Sequence, residues 1–266
     1  MTKSTIDRLG LGCARLYGGA DIKESRRLVE TALALGIRYF DTAPYYGSGW
    51  SEQVLGDVLH GVDDVMITTK IGLGRPSSPV QPSPVRRLYR SIAKPVLARF
   101  PALKGKLLSA ARGSSPQAPK PTVRAFPRDT LRAELDASLA ALRRDRLYAM
   151  LVHEPDQFAL DDDDRAAFQT LVDEGRIGSF GLGLDRTLPH APAFGTIMQS
   201  RYLARAERDD TGISRIFHGV LRHRGDEKAT TRLARILSDE PDARILLSVS
   251  TVGQLRELHN AARGIG

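Results

Sequence analysis

Four residue types, each placed where an apolar run ends, carry the chemistry that this sequence offers. Asp41 closes the run "IRYF", and Tyr45 and Tyr46 stand in the turn that follows it. Lys70 closes "MITTK", and His153 closes "LYAMLVH". A free phenol has a pKa of ~10, too high for an efficient acid near neutral pH. A neighbouring ammonium favours the phenolate and lowers that value, and a carboxylate behind the ammonium keeps it charged and in place. A histidine beside them can donate a hydrogen bond to a substrate oxygen and fix its orientation. Together these groups are suited to delivering a proton to a carbonyl oxygen. No side chain can supply the accompanying hydride, so a nicotinamide cofactor is implied. Taken singly, each residue has an ordinary explanation, such as an aspartate in a turn or a solvated lysine. Taken in order, on consecutive strand ends, they read as a site.

Such a site requires strand ends that converge. Helical periodicity in "SRRLVETALALG", ended by Gly36, precedes the strand-like "IRYF". "SEQVLGDVL" predicts a helix and "DVMITTK" a strand. The longest helix falls on "PRDTLRAELDASLAALRRD", with Leu131, Leu135, Leu139 and Leu142 on one face. "RLYAMLVH" then gives a strand, and "DDDDRAAFQTLVDEG" an acid-started helix. "SFGLGL", "TIMQSRYL" and "RIFHGVL" are strand-like, "TTRLARIL" is helical, "ARILLSV" is a strand and "GQLRELHNAA" a terminal helix. With "LGLGCA" near the start, eight strands result, most of them separated by helices. This alternation predicts parallel pairing and an α/β fold, a closed (β/α)8 TIM barrel in a single domain over residues 1–266. The rival, an open doubly wound sheet, usually carries G-x-G-x-x-G after its first strand. Here that place reads Gly10-Leu11-Gly12-Cys13-Ala14-Arg15, and the third glycine is missing.

The 266 residues are 41% hydrophobic and 26% charged, which suits a globular protein with a sizeable core. One cysteine, Cys13, excludes an internal disulfide. The opening "MTKSTIDRLGLG" lacks the apolar core of a signal peptide, and no run approaches ~20 apolar residues. A cytoplasmic protein without membrane contact is expected. The net charge of +8 is concentrated between Ile71 and Phe126, a segment with eleven Lys or Arg, no acid and nine prolines. This 71–126 stretch reads as a basic, Pro-rich insertion after the third strand. Because it leaves directly from Lys70, it is a candidate lid favouring an anionic substrate. It carries no recognition motif and few aromatics, so no nucleic-acid partner is expected. "HEPDQ" lacks the second histidine of a zincin, and no metal site is expected.

The pieces "GIRYFDTAPYYGSGWSEQVLG", "MITTK", "LYAMLVHEPD", "MQSRYL" and "SVSTVGQLREL" lie in the order found in aldo-keto reductases, and the sequence resembles that family over essentially its whole length. The resemblance implies a (β/α)8 barrel that binds NADP(H) in extended form and interconverts an aldehyde or ketone with an alcohol. It maps the catalytic tetrad onto Asp41, Tyr46, Lys70 and His153, choosing Tyr46 over Tyr45 because it directly precedes Gly47. For the cofactor it implies Cys13, Gln199, His218, Gly219, Leu221, Ser250, Gln254 and Glu257, with Phe217 in place of His218 if the register is one residue off. Ser250 and Gln254 are expected near the 2′-phosphate, helped by Arg222 or Arg224 from the loop after the seventh strand. Gly183-Leu184 replaces the family's usual polar pair, which reduces the grip on the carboxamide, and Leu258 stands where asparagine is common. The chain stops nine residues after Glu257, so a C-terminal pocket loop is not expected. The alternatives are an NAD-dependent sugar (lactol) dehydrogenase and a noncatalytic NADP(H)-binding regulatory relative.

Overall fold

The computed structural model describes residues 4–77, 79, 124–184, 194–202, 213–221 and 227–264. Among the described residues ten strands run in chain order as β1 Leu9–Gly12, β2 Tyr39–Asp41, β3 Met66–Ile71, β4 Arg124–Ala125, β5 Ala149–His153, β6 Phe158–Ala159, β7 Phe180–Gly183, β8 Ile197–Arg201, β9 Ser214–His218 and β10 Arg244–Leu247. The helices among the described residues are α1 Ile22–Ala34, α2 Ser51–Leu59, α3 Leu131–Leu142, α4 Asp162–Asp173, α5 Ala229–Asp239 and α6 Val252–Arg263. Eight of the strands close a barrel in the order β1-β2-β3-β5-β7-β8-β9-β10, with β10 returning to β1. Every pairing in it is parallel. The eight expected strands and this closed (β/α)8 architecture are therefore present.

Two apolar layers hold the barrel. The larger lies between strands and helices, where Leu131, Leu135, Leu139 and Leu142 of α3 are all buried. The smaller plugs the barrel interior with Tyr39, Ala149, Leu151, Ile197, Ile216 and Leu246. Truncating a fully buried leucine such as Leu151 to alanine costs ~2–5 kcal/mol. Below the plug, the Arg244 guanidinium lies over the rings of Tyr39 and Tyr148 at 4.8 and 5.4 Å. Because strand side chains alternate, the inward residue two positions beyond a strand's last plug residue faces the opposite, C-terminal mouth. From Tyr39 that step reaches Asp41; from Leu151, His153; from Ile197, Gln199; from Ile216, His218.

Helix starts are fixed locally. Asp161 accepts a hydrogen bond from the Asp164 backbone N–H at 2.8 Å while Asp164 accepts from that of Asp161, a reciprocal cap that opens α4. Arg128 then bridges the cluster by pairing with Asp161, Asp163 and Asp164.

Of the 71–126 insertion, residues 78 and 80–123 lie outside the described residues. Its two ends are anchored. Arg75 pairs with the buried Glu52 at 2.8 Å and donates to Ser138 Oγ at 2.8 Å, so this basic residue is committed to the barrel body. Arg124–Ala125 forms a short parallel pair with Phe158–Ala159, a second sheet that two-residue strands give no periodic signal to predict.

Candidate active site

The C-terminal mouth opens into a cavity of about 370 Å³, lined among others by Asp41, Tyr46, Lys70, His153, Gln199 and His218. Asp41 and His153 end β2 and β5, and Lys70 is the penultimate residue of β3, the strand between them. Asp41, Lys70 and His153 are 3%, 2% and 6% exposed, so their charges and dipoles act in a water-poor setting. Lys70 Nζ donates to both carboxylate oxygens of Asp41, at 2.7 and 2.8 Å, and to the Thr42 carbonyl at 2.9 Å. Removing either partner of such a buried pair leaves the other charge without compensation.

Tyr46 comes from the turn after β2, and Gly47 sets its place. Gly47 has φ +60°, and a Cβ there would overlap the Leu16 carbonyl oxygen. The turn can therefore lie down on the β1 loop, with Gly47 N–H donating to Ala14 O at 3.3 Å. This carries the Tyr46 ring to 4.9 Å from Lys70 Nζ and to 5.7 Å from the His153 ring, edge to face. Tyr45 packs on Tyr46 and His153 as well, yet stays 37% exposed at the rim.

Burial, then the nearby Lys70 ammonium and His218, hold the His153 pKa down at about 3. Its imidazole is neutral across the physiological range, able to donate a hydrogen bond without bringing a charge.

On the far side of the cavity stand Gln199 and His218. Gln199 is buried, and its Oε1 has no hydrogen-bond partner among the described residues. Leaving such an oxygen unpaired costs ~1–3 kcal/mol, which a ligand amide would recover. That unmet acceptor in the cavity wall fits a nicotinamide carboxamide. His218 Nε2 lies 2.7 Å from the Leu184 carbonyl, so that nitrogen carries the proton. Phe217 is buried in the outer core, and His218 is the one of the two that reaches the cavity. Gly219 lines the cavity too, at φ +65°.

Other sequence-derived positions lie elsewhere. Cys13 is not brought to the cavity: its thiol is wholly buried and donates to Leu11 O, its N–H donates to Asp41 O and its carbonyl accepts from Ser51. Alternation explains this, since Gly12 and Ala14 face inward and Cys13 between them faces the helices. Leu221 packs against the outer core. Ser250 and Gln254 sit at the start of α6, where Ser250 N–H donates to Gln254 Oε1 at 3.0 Å, and Glu257 lies exposed one turn further on. Arg222 and Arg224 are outside the described residues. Sequence reasoning missed Glu154, which lines the cavity in a left-handed conformation with φ +51°. The signal available was an acid directly after His153. Among the described residues, no group of three or more His, Cys, Asp or Glu is placed to hold a metal ion, and no helix is long and apolar enough to cross a membrane.

A closed parallel barrel with a buried carboxylate–lysine pair under a tyrosine defines a class of protein that known families can be compared with. The family model described as "Aldo/keto reductase family" matches residues 8–186, and the chain belongs to that family. Among its relatives, the pyridoxal 4-dehydrogenase of Microbacterium luteolum is 41% identical over 75 residues, which cover 27% of this chain and 22% of that protein. The D-threo-aldose 1-dehydrogenase of a Pseudomonas species is 40% identical over 84 residues, covering 29% of this chain and 26% of that one. These matches thus span about a quarter of each relative's length. In fold, the holo form of an aldo-keto reductase from Bacillus halodurans superposes with a TM-score of 0.62 at 19% identity, covering 96% of this chain and 86% of that one.

Proposed function

We propose that this chain is an NADP(H)-dependent oxidoreductase that reduces a small aldehyde or ketone to an alcohol. The observation that carries the reading is the buried Lys70 ammonium, chelated by Asp41 and set 4.9 Å from the Tyr46 ring at the wall of the cavity. Tyr46 acts as the general acid: its Oη gives a proton to the carbonyl oxygen, and the Lys70 charge stabilises the phenolate left behind. Neutral His153 donates a hydrogen bond to the same oxygen and holds the carbonyl in line. The nicotinamide cofactor supplies the hydride that reaches the carbonyl carbon. Gln199, His218 and Gly219 would hold that cofactor, Gln199 by giving its unpaired oxygen to the carboxamide amide.

A second reading is an NAD-dependent oxidation of a sugar lactol by the same groups in reverse. It is supported by the sugar dehydrogenase among the relatives, and by a Gln254 carboxamide oxygen already engaged by Ser250 N–H. Fluorescence titration with NADPH and NADH, followed by turnover on a panel of neutral and anionic carbonyls and sugars, tests both. Tight NADPH binding with carbonyl reduction is expected. Equal affinity for the two cofactors with turnover only on sugars favours the second reading. Binding of neither dinucleotide overturns both.

A further inference from the structure

The helix that follows the Tyr46 turn is fastened on two sides. On the inner side Ser51 Oγ donates to the Cys13 carbonyl at 2.9 Å and lies 2.8 Å from Thr42 Oγ1, tying the head of α2 to the ends of β1 and β2. On the outer side stands Glu52, 1% exposed, whose Oε1 accepts from Thr69 Oγ1 at 2.6 Å. Thr69 directly precedes Lys70, so this carboxylate joins the strand that carries the ammonium to the helix that continues from the phenol. Among the described residues the other oxygen, Oε2, has no hydrogen-bond partner and one ion-pair partner, Arg75 Nη1 at 2.8 Å.

Arg75 comes five residues after Lys70 and reaches α3 as well, where Nη2 donates to Ser138 Oγ at 2.8 Å and Nε lies 3.8 Å from Glu134. The chain that continues from it lies against the Tyr46 turn. A Cβ added to Gly49 would come within 3.2 Å of Pro79 Cα and 3.5 Å of Pro76 Cγ, so these prolines cover Gly49 from outside. Gly47, Ser48 and Gly49 have φ of +60°, +61° and +92° in succession. A left-handed run that includes a serine persists only where its surroundings hold it. Here the β1 loop holds one side, through Gly47 N–H on Ala14 O, and Pro76 and Pro79 hold the other.

We infer that Arg75 is a positioning residue for the general acid: by pairing with Glu52 it keeps Pro76 and Pro79 on Gly49, and so keeps the Tyr46 ring beside Lys70. This rests on the general-acid reading of Tyr46 above. Arg75 is not among the residues that line the cavity, so its effect passes through the turn. A phenol moved away from the ammonium loses the charge that favours its phenolate. It also loses its aim at the carbonyl oxygen, and a misplacement of ~1 Å can cost ~10²-fold in rate. Losing Arg75 has a second effect, a buried carboxylate left without its cation. The two effects separate, because Glu52→Gln removes the stranded charge, keeps an oxygen for Thr69 and does not refasten the turn.

The test compares wild type, Arg75→Ala, Arg75→Lys and the double variant Arg75→Ala with Glu52→Gln. Each is measured by urea unfolding, by NADPH fluorescence titration and by carbonyl reduction between about pH 6 and 10. Arg75→Ala should unfold at lower urea, and the added Glu52→Gln should return most of the midpoint. In that restabilised double variant kcat should stay about ten- to a hundredfold below wild type, with KM and NADPH affinity within about twofold. Its alkaline fall in kcat, where the phenol gives up its proton, should move to higher pH. Arg75→Lys keeps the charge without the fork and should recover part of kcat. A double variant with the wild-type kcat and pH profile overturns the positioning role, since Arg75 then serves stability alone. Parallel losses of kcat and NADPH affinity overturn it too, because they report a general loss of the fold. In both cases an active wild type leaves the general-acid reading standing. A wild type that binds NADPH and reduces no carbonyl overturns that reading and the Arg75 role with it.

Discussion

Lowering the pH should unfold this protein partly through one residue, His153. In the folded chain its pKa is about 3, against an ordinary 6.5, because burial and the Lys70 ammonium oppose a second positive charge. In the unfolded chain the imidazole titrates near its ordinary value. Between the two values the unfolded state binds a proton that the folded state refuses, so stability falls as pH falls. The contribution is complete above pH ~6.5 and is lost progressively below it, at ~1.4 kcal/mol per pH unit. At pH 5 the loss is ~2 kcal/mol, a sizeable share of a typical 5–15 kcal/mol. Urea unfolding of wild type and His153→Gln at pH 7.5 and pH 5 isolates it, because all other titrating groups are common to both. Wild type should lose ~2 kcal/mol more than the variant over that step. Equal losses would refute the neutral buried imidazole, and with it the uncharged hydrogen-bond donor of the proposed mechanism.

Tyr46→Phe should lower carbonyl reduction at least ~10²-fold while NADPH binding, read by fluorescence, stays within about twofold. Lys70→Met strands the Asp41 carboxylate in a buried site and should cost ~3–5 kcal/mol in urea unfolding; Asp41→Asn added to it should recover most of that stability but no activity. Gly47→Ala forces a side chain into a left-handed turn against the Leu16 carbonyl, and should cost at least ~1–3 kcal/mol by thermal unfolding and lower turnover more than cofactor affinity.

The barrel was legible because each of its strands is a short apolar run with helical periodicity between most of them. The polar residues at the ends of β2, β3 and β5 were legible for the same reason: a charge at the end of an apolar run has one place to go. Side-chain direction was harder. The family pattern put Cys13 at the cofactor, while the period-two rule, applied from Gly12 and Ala14, turns it toward the helices. The same rule chooses His218 over Phe217, since Ile216 faces the barrel interior. Arg75 and Glu154 carried no periodic signal. Their positions follow from loop conformation and from contacts with residues as distant in sequence as Ser138.

The two-residue step from the plug to the mouth has a consequence for how this barrel can change. The groups that bear on chemistry and the groups that bear on cohesion occupy adjacent rungs of the same strands, so a substitution at Gln199 or His218 need not disturb Ile197 or Ile216. Slipping β5 by a single residue against β3, which it pairs from Thr68–Ala149 to Ile71–Val152, would do the opposite. It would turn His153 out toward the helices, bring Val152 to face Lys70 and expel Leu151 from the plug in the same movement. Point changes can therefore retune this mouth one side chain at a time, whereas an insertion or deletion inside a strand removes reactivity and cohesion together.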